Sequence, residues 1–123
     1  MESNEHQTLV KKLVDNLEAM GLTILCASIT GYNECPKQGR RKPDVIGKDS
    51  SGLLYFGVAK TCDSLSSFET TDQLQDFSNR VMSEDKRKIQ FYIAIPKKCK
   101  EDLTQTIEDL GITSRDNIHF FLF

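Results

Sequence analysis

The sequence predicts an α/β fold in which a mixed sheet is flanked by helices, with the elements in the order α-β-β-β-α-β-α-β. Three observations lead to this prediction. Apolar residues recur at helical spacing in some segments, short runs rich in β-forming residues lie between them, and glycine, proline or polar clusters separate the two kinds of segment.

The first half of the chain predicts one helix and three strands. The helix runs from Glu5 to Met20, and Gly21 is a natural C-terminal stop. Its apolar face consists of Leu9, Val10, Leu13, Val14, Leu17 and Met20. The strands are predicted at 22–28, 44–48 and 53–60. The last two are joined by a turn over 50–52, where Gly52 suits the left-handed position of a three-residue hairpin loop.

The second half predicts alternating helices and strands. The second helix begins between residues 66 and 71, where several side chains could cap it, and ends at residue 81 or 82. Its apolar stripe is predicted to be Leu74, Phe77 and Val81. The apolar run 89–95, closed by Pro96, is typical of a central strand. A third helix over 98–110 and a last strand over 118–123 complete the order.

Composition limits the possible organisation. A chain of 123 residues supports one core, so a single domain over 1–123 is expected. The net charge of −2 means that a nucleic-acid surface would have to be a local basic patch. No apolar run has the length of a membrane span, and the polar, acidic N-terminus does not resemble a signal peptide, so a cytoplasmic protein is predicted.

The cysteine spacing argues against a zinc site. The four cysteines are Cys26, Cys35, Cys62 and Cys99, and no two are closer than nine positions. Structural zinc sites usually contain a closely spaced cysteine pair. Reduced and mostly buried thiols are therefore predicted.

An aspartate and a lysine on the predicted hairpin form the most informative pattern. If residues 50–52 are the loop, Asp49 pairs with Leu53, and counting back places Asp44 opposite Val58. Paired residues share a face of the sheet, as do residues two apart on one strand. Asp44 and Lys60 are therefore predicted to lie together. A carboxylate that binds a metal ion, next to an ammonium group, suits phosphodiester hydrolysis.

This pattern resembles the PD-(D/E)xK nuclease superfamily, in particular its restriction-endonuclease-like and Holliday-junction-resolvase-like members. Pro43-Asp44 followed by Lys60 looks like the signature motif, and the element order matches the core of that superfamily. The segment from Gln73 to Phe77 is similar to a Gln-xxx-Tyr motif, with Phe77 in the tyrosine position. The resemblance extends over about residues 5–95. It implies hydrolysis of DNA with Mg²⁺ or Mn²⁺, in which Asp44, Lys60 and Gln73 are the catalytic residues and Asp44 is a metal ligand.

The chain departs from this motif at Val58, which occupies the position of the second acid. Relocated acids occur in the superfamily, so Glu69 or Glu5 is the predicted substitute metal ligand. The alternative is a catalytically inactive homologue that binds DNA or assembles with other proteins. A third interpretation is an unrelated α/β protein, in which Asp44 and Lys60 would not converge.

A basic run precedes the motif and could contact DNA phosphates. It consists of Lys37, Arg40, Arg41 and Lys42. A solvated loop is the alternative interpretation. His6, on the apolar face of the first helix, is more typical of a capping or packing residue. A homodimer remains possible, because the apolar C-terminal strand could belong to the core or to an interface.

Overall fold

The computed structural model describes residues 4–123, and within them it has the predicted order of elements. The helices are α1 (Asn4–Ala19), α2 (Phe68–Phe77) and α3 (Lys100–Asp109). The strands are β1 (Thr23–Ala27), β2 (Val45–Lys48), β3 (Leu54–Ala59), β4 (Gln90–Ile95) and β5 (Ile118–Leu122). Among residues 4–123, no helix is long and apolar enough to cross a membrane.

The five strands form one mixed sheet in the order β1-β2-β3-β4-β5. The first three pair in antiparallel fashion, whereas β3, β4 and β5 are parallel. Within the β2–β3 hairpin, Val45 pairs with Gly57 and Lys48 with Leu54, which is the register counted from the sequence. Gly52 has the predicted positive φ, at 88°. The predicted mixed α/β fold is confirmed.

The helices cover both faces of the sheet. The helices of the crossovers from β3 to β4 and from β4 to β5, α2 and α3, lie on the same face. Their apolar side chains share one core with β3 and β4, and this core includes Phe56, Val58, Phe77, Phe91 and Leu103. The other face packs against α1, through Leu13 and Leu17 among others. Both cores extend to the end of the sheet where β2 begins and β3 ends.

Two predicted helix details are wrong. The second helix ends at Phe77, several residues before the predicted boundary, because the backbone N–H groups of Asn79 and Arg80 bond to carbonyls three residues back instead of four. Val81 consequently lies outside the helix and is exposed instead of completing the apolar stripe. Met20 is likewise exposed, since α1 has ended before it.

The prediction of free thiols is also wrong, because all four cysteines form disulfides, Cys26 with Cys35 and Cys62 with Cys99. The proximity of Cys62 and Cys99 follows from the sheet topology. Cys62 comes after β3 and Cys99 after β4, and these two neighbouring parallel strands have their C-terminal ends side by side. Disulfides persist mainly in oxidising compartments, so this finding does not favour the predicted cytoplasmic location.

Candidate active site

A cleft of about 310 Å³ opens at one end of the strands, next to the start of β2 and the C-terminal end of β3. Loops that follow the C-terminal ends of strands in an open α/β sheet are a common place for ligand sites. The cleft is lined by His6, Lys37, Arg40, Arg41, Lys42, Asp44, Lys60, Glu69 and Gln73. All three predicted catalytic residues and all four predicted phosphate-binding residues therefore meet in one place.

Asp44 is held firmly at the floor of this cleft. It directly precedes β2 and is 9% exposed. Its Oδ2 accepts a hydrogen bond from the backbone N–H of Ala59 at 2.8 Å, which ties the carboxylate to the end of β3. The same oxygen lies 3.3 Å from Nε2 of His6, which donates to it when that nitrogen carries the proton.

Lys60 and Gln73 reach the cleft from two different elements. Lys60 follows β3 and is 9% exposed, and its backbone N–H donates to the carbonyl of Ala94 in β4. Gln73 lies on α2 and is 3% exposed. Its Nε2 donates to the Lys42 carbonyl at 3.4 Å. Its buried Oε1 accepts no hydrogen bond from residues 4–123, which is unusual for a buried polar atom and is consistent with a ligand-binding role.

Val58 occupies the position of the missing acid and is fully buried. Its side chain belongs to the core between the sheet and helices α2 and α3, together with Phe56 and Ile93. The local structure therefore accommodates an apolar side chain at this position.

The three acidic metal-ligand candidates are placed differently. Asp44 and Glu69 both line the cleft, Glu69 from the exposed first turn of α2. The structure does not bring Glu5 there, because Glu5 is exposed and lies in a separate depression beside Lys12 and Phe123. Among residues 4–123, no three His, Cys, Asp or Glu side chains form a group that could hold a metal ion.

His6 lines the cleft, although the sequence indicated a capping or packing residue. It lies on α1 next to Glu5, but it lines the cleft and contacts Asp44. The available signal was its helical spacing relative to Val10 and Leu17, which are both buried. That spacing turns position 6, and not position 5, towards the sheet.

The basic loop, which carries Lys37, Arg40, Arg41 and Lys42, is anchored to α2 through Asp72. Oδ1 of Asp72 accepts a hydrogen bond from Arg40 at 2.7 Å, and Oδ2 accepts one from Arg41 at 2.9 Å. The hydrogen bond from Arg41 is the main cause that lowers the pKa of Asp72, and the charge of Arg40 adds to it. Lys42 pairs with Glu34 at 3.2 Å. Even so, the lining of the cleft contains five cationic side chains and two carboxylates, so it suits an anion.

Comparison with known proteins identifies a similar fold. No family model matches the sequence, and no curated protein sequence matches it. Among solved structures, the chain is similar to the crystal structure of a repair endonuclease from Pyrococcus abyssi, with a TM-score of 0.57 and 11% sequence identity. The alignment covers the whole of this chain and 48% of that protein.

The chain has a nuclease-like fold. At 11% identity the similarity concerns the fold alone, and the chain spans about half the length of the endonuclease. The fold similarity and the cleft are independent observations, because the cleft is defined by the side chains of this chain and not by the comparison.

Proposed function

We propose that this chain is a PD-(D/E)xK-type nuclease domain that acts on DNA through the cleft around Asp44. The strongest support is that the three predicted catalytic residues converge on one cleft. Asp44, Lys60 and Gln73 are separated in sequence by up to 29 positions, yet all three are buried at the same cleft, beside four basic residues. An accidental sequence pattern would not require such convergence on a nuclease-like fold.

A magnesium or manganese ion in this cleft would complete its coordination with water. Mg²⁺ is usually held by one or two carboxylates, several waters and substrate phosphates. Asp44 and Glu69 are the two carboxylates of the cleft and would hold the ion. When bound, such an ion stabilises negative charge on the phosphate and lowers the pKa of a bound water.

The remaining residues would bind and orient the substrate. Lys60 would place its ammonium group against the charge that develops on the phosphate. The unsatisfied Oε1 of Gln73 would accept a hydrogen bond from a water or from Lys60. Lys37, Arg40, Arg41 and Lys42 would contact the DNA backbone, which contributes affinity without sequence specificity.

A second candidate function is a catalytically inactive domain that binds DNA through the same cleft. Its specific support is Val58, which is built into the core at the position of the second acid. The basic lining would remain useful in such a protein, because contacts to phosphates do not require a metal ion.

Titration with Mn²⁺ distinguishes the two candidates. The catalytic candidate predicts specific binding that disappears in Asp44→Asn and weakens in Glu69→Gln, as measured by calorimetry. The matched control is Glu84→Gln, which changes a carboxylate in the exposed loop before β4. If native protein binds DNA but no Mn²⁺, the inactive candidate is the correct one.

A further inference from the structure

Phe68, the first residue of α2, has an unusually exposed aromatic side chain. It is 73% exposed, whereas the other exposed large apolar residues, such as Met20, Tyr32 and Val81, range from 38% to 47%. Isolated exposed apolar residues are common on protein surfaces, so exposure alone is not informative. The position is informative, because Phe68 directly precedes Glu69, which lines the cleft.

A second planar group lies against this ring. The guanidinium carbon of Arg41 lies over Phe68, 5.7 Å from the ring centroid. Arg41 also lines the cleft, and Asp72 holds its Nε by a hydrogen bond of 2.9 Å. Nucleobases stack on aromatic rings and on guanidinium groups. One group of each kind therefore lies next to the basic residues of the cleft.

The ring contributes little to the stability of the fold. Phe68 belongs to neither hydrophobic core, in contrast to Leu74 and Phe77 on the same helix. Ser67 caps the helix through its own side chain, which accepts a hydrogen bond from the backbone N–H of Thr70, so the cap does not depend on the ring. A folding role therefore does not account for an aromatic residue at this position.

We propose that Phe68, together with Arg41, stacks against an unpaired base of a DNA strand whose backbone lies in the cleft. This proposal rests on the proposed function and names its substrate class, which is DNA with single-stranded or unpaired nucleotides. Inside a duplex the faces of a base are covered by its stacked neighbours. A stacking surface therefore selects single strands, strand ends and extruded bases.

Binding of DNA to Phe68 variants tests this proposal. Fluorescence anisotropy would compare a labelled single-stranded oligonucleotide with the duplex of the same sequence, without divalent ions so that no cleavage occurs. Phe68→Ala should weaken single-strand binding roughly 5- to 140-fold, the range expected for one stacked base. Duplex binding should change less than about twofold, because contacts to phosphates are unaffected.

Two further variants separate stacking from a general loss of apolar surface. Phe68→Tyr keeps the ring and should retain single-strand binding, whereas Phe68→Leu keeps apolar area without a ring and should lose most of it. Met20→Ala removes an exposed apolar side chain that follows α1 and should leave binding unchanged. The fluorescence of a 2-aminopurine base in the oligonucleotide should change on binding to native protein and change less on binding to Phe68→Ala.

The possible outcomes separate this proposal from the proposed function. If native protein binds DNA and Phe68→Ala binds single strands equally well, the stacking proposal is overturned and the proposed function stands. Equal weakening of single-strand and duplex binding also overturns it. If native protein binds neither form of DNA, the proposed function fails, and the stacking proposal fails with it.

Discussion

Asp72 illustrates at the level of single residues how the basic loop is held. Its carboxylate accepts hydrogen bonds from Arg40 and Arg41, and these contacts lower its pKa from the ordinary value of 3.8. A carboxyl group with a lowered pKa in the folded state stabilises the fold fully above its ordinary pKa. This contribution is lost as the pH falls below 3.8 and through the lowered value.

Asp72→Asn should therefore reduce stability at neutral pH and have less effect in acid. The amide removes the charge while it keeps one acceptor oxygen, so the loss at neutral pH should be modest. Urea denaturation of both proteins between pH 7 and pH 3 measures the difference. Asp15→Asn, which breaks an exposed pair with Lys11 on α1, provides a comparison remote from the cleft. A stability difference that does not shrink in acid would contradict this account of Asp72.

The sequence predicts some site residues well and others poorly, for physical reasons. The relation of Asp44 to Lys60 was predictable, because a tight hairpin fixes its register and the register fixes the face. The disulfide between Cys62 and Cys99 and the contact between His6 and Asp44 were not deduced, since each joins segments that are distant in sequence and meet only in the folded sheet. Phe68 carried no sequence signal that distinguished it from a core residue.

At the level of elements, the approach of α1 to β3 depends on Gly57. A Cβ atom at this position would lie 2.9 Å from Cδ2 of Leu13, closer than side-chain carbons normally come. Leu13 is completely buried in α1, so it has little room to move. The absence of a side chain at Gly57 therefore lets the helix pack closely against the central strand.

Gly57→Ala should lower the free energy of unfolding by about 1–3 kcal/mol, as overpacked core positions do. Gly47→Ala is the matched control in the neighbouring strand, where the added Cβ would meet its nearest atoms at an ordinary 3.5 Å. Chemical denaturation of both variants measures the two effects. Equal stability of Gly57→Ala and Gly47→Ala would contradict close packing at position 57.

The ends of elements were harder to predict than their existence. The stripe of Leu74 and Phe77 correctly indicated α2, because both residues pack into the core. The extension to Val81 failed because the chain tightens after Phe77, where the backbone N–H groups of Asn79 and Arg80 bond to carbonyls three residues back. The spacing of apolar residues cannot detect such a change in backbone hydrogen bonding.

At the level of the whole molecule, the two disulfides should contribute unequally to stability. Cys26 and Cys35 are 9 positions apart, whereas Cys62 and Cys99 are 37 apart. In the chain-entropy model, a cross-link stabilises more when it closes a longer loop, which gives about 3 and 4 kcal/mol for the two pairs. Replacing Cys62 and Cys99 by serine should therefore cost more than replacing Cys26 and Cys35.

Denaturation of the two double-serine variants tests this order, and native protein treated with dithiothreitol should be less stable than either variant under oxidising conditions. Unchanged unfolding of native protein under reducing conditions would contradict a stabilising role for the disulfides. The overall topology, in contrast, was predictable from sequence, because alternation of strands and helices after a hairpin permits few mixed sheets.

Cleavage of plasmid and single-stranded DNA in the presence of Mn²⁺ tests the central claim, that the cleft around Asp44 acts on DNA, most directly. We expect native protein to cleave DNA and Asp44→Asn to lose more than about a hundredfold in rate, since replacing a metal ligand should cost at least as much as replacing its outer-shell partners. Full cleavage by Asp44→Asn, or no cleavage by native protein, would contradict the claim.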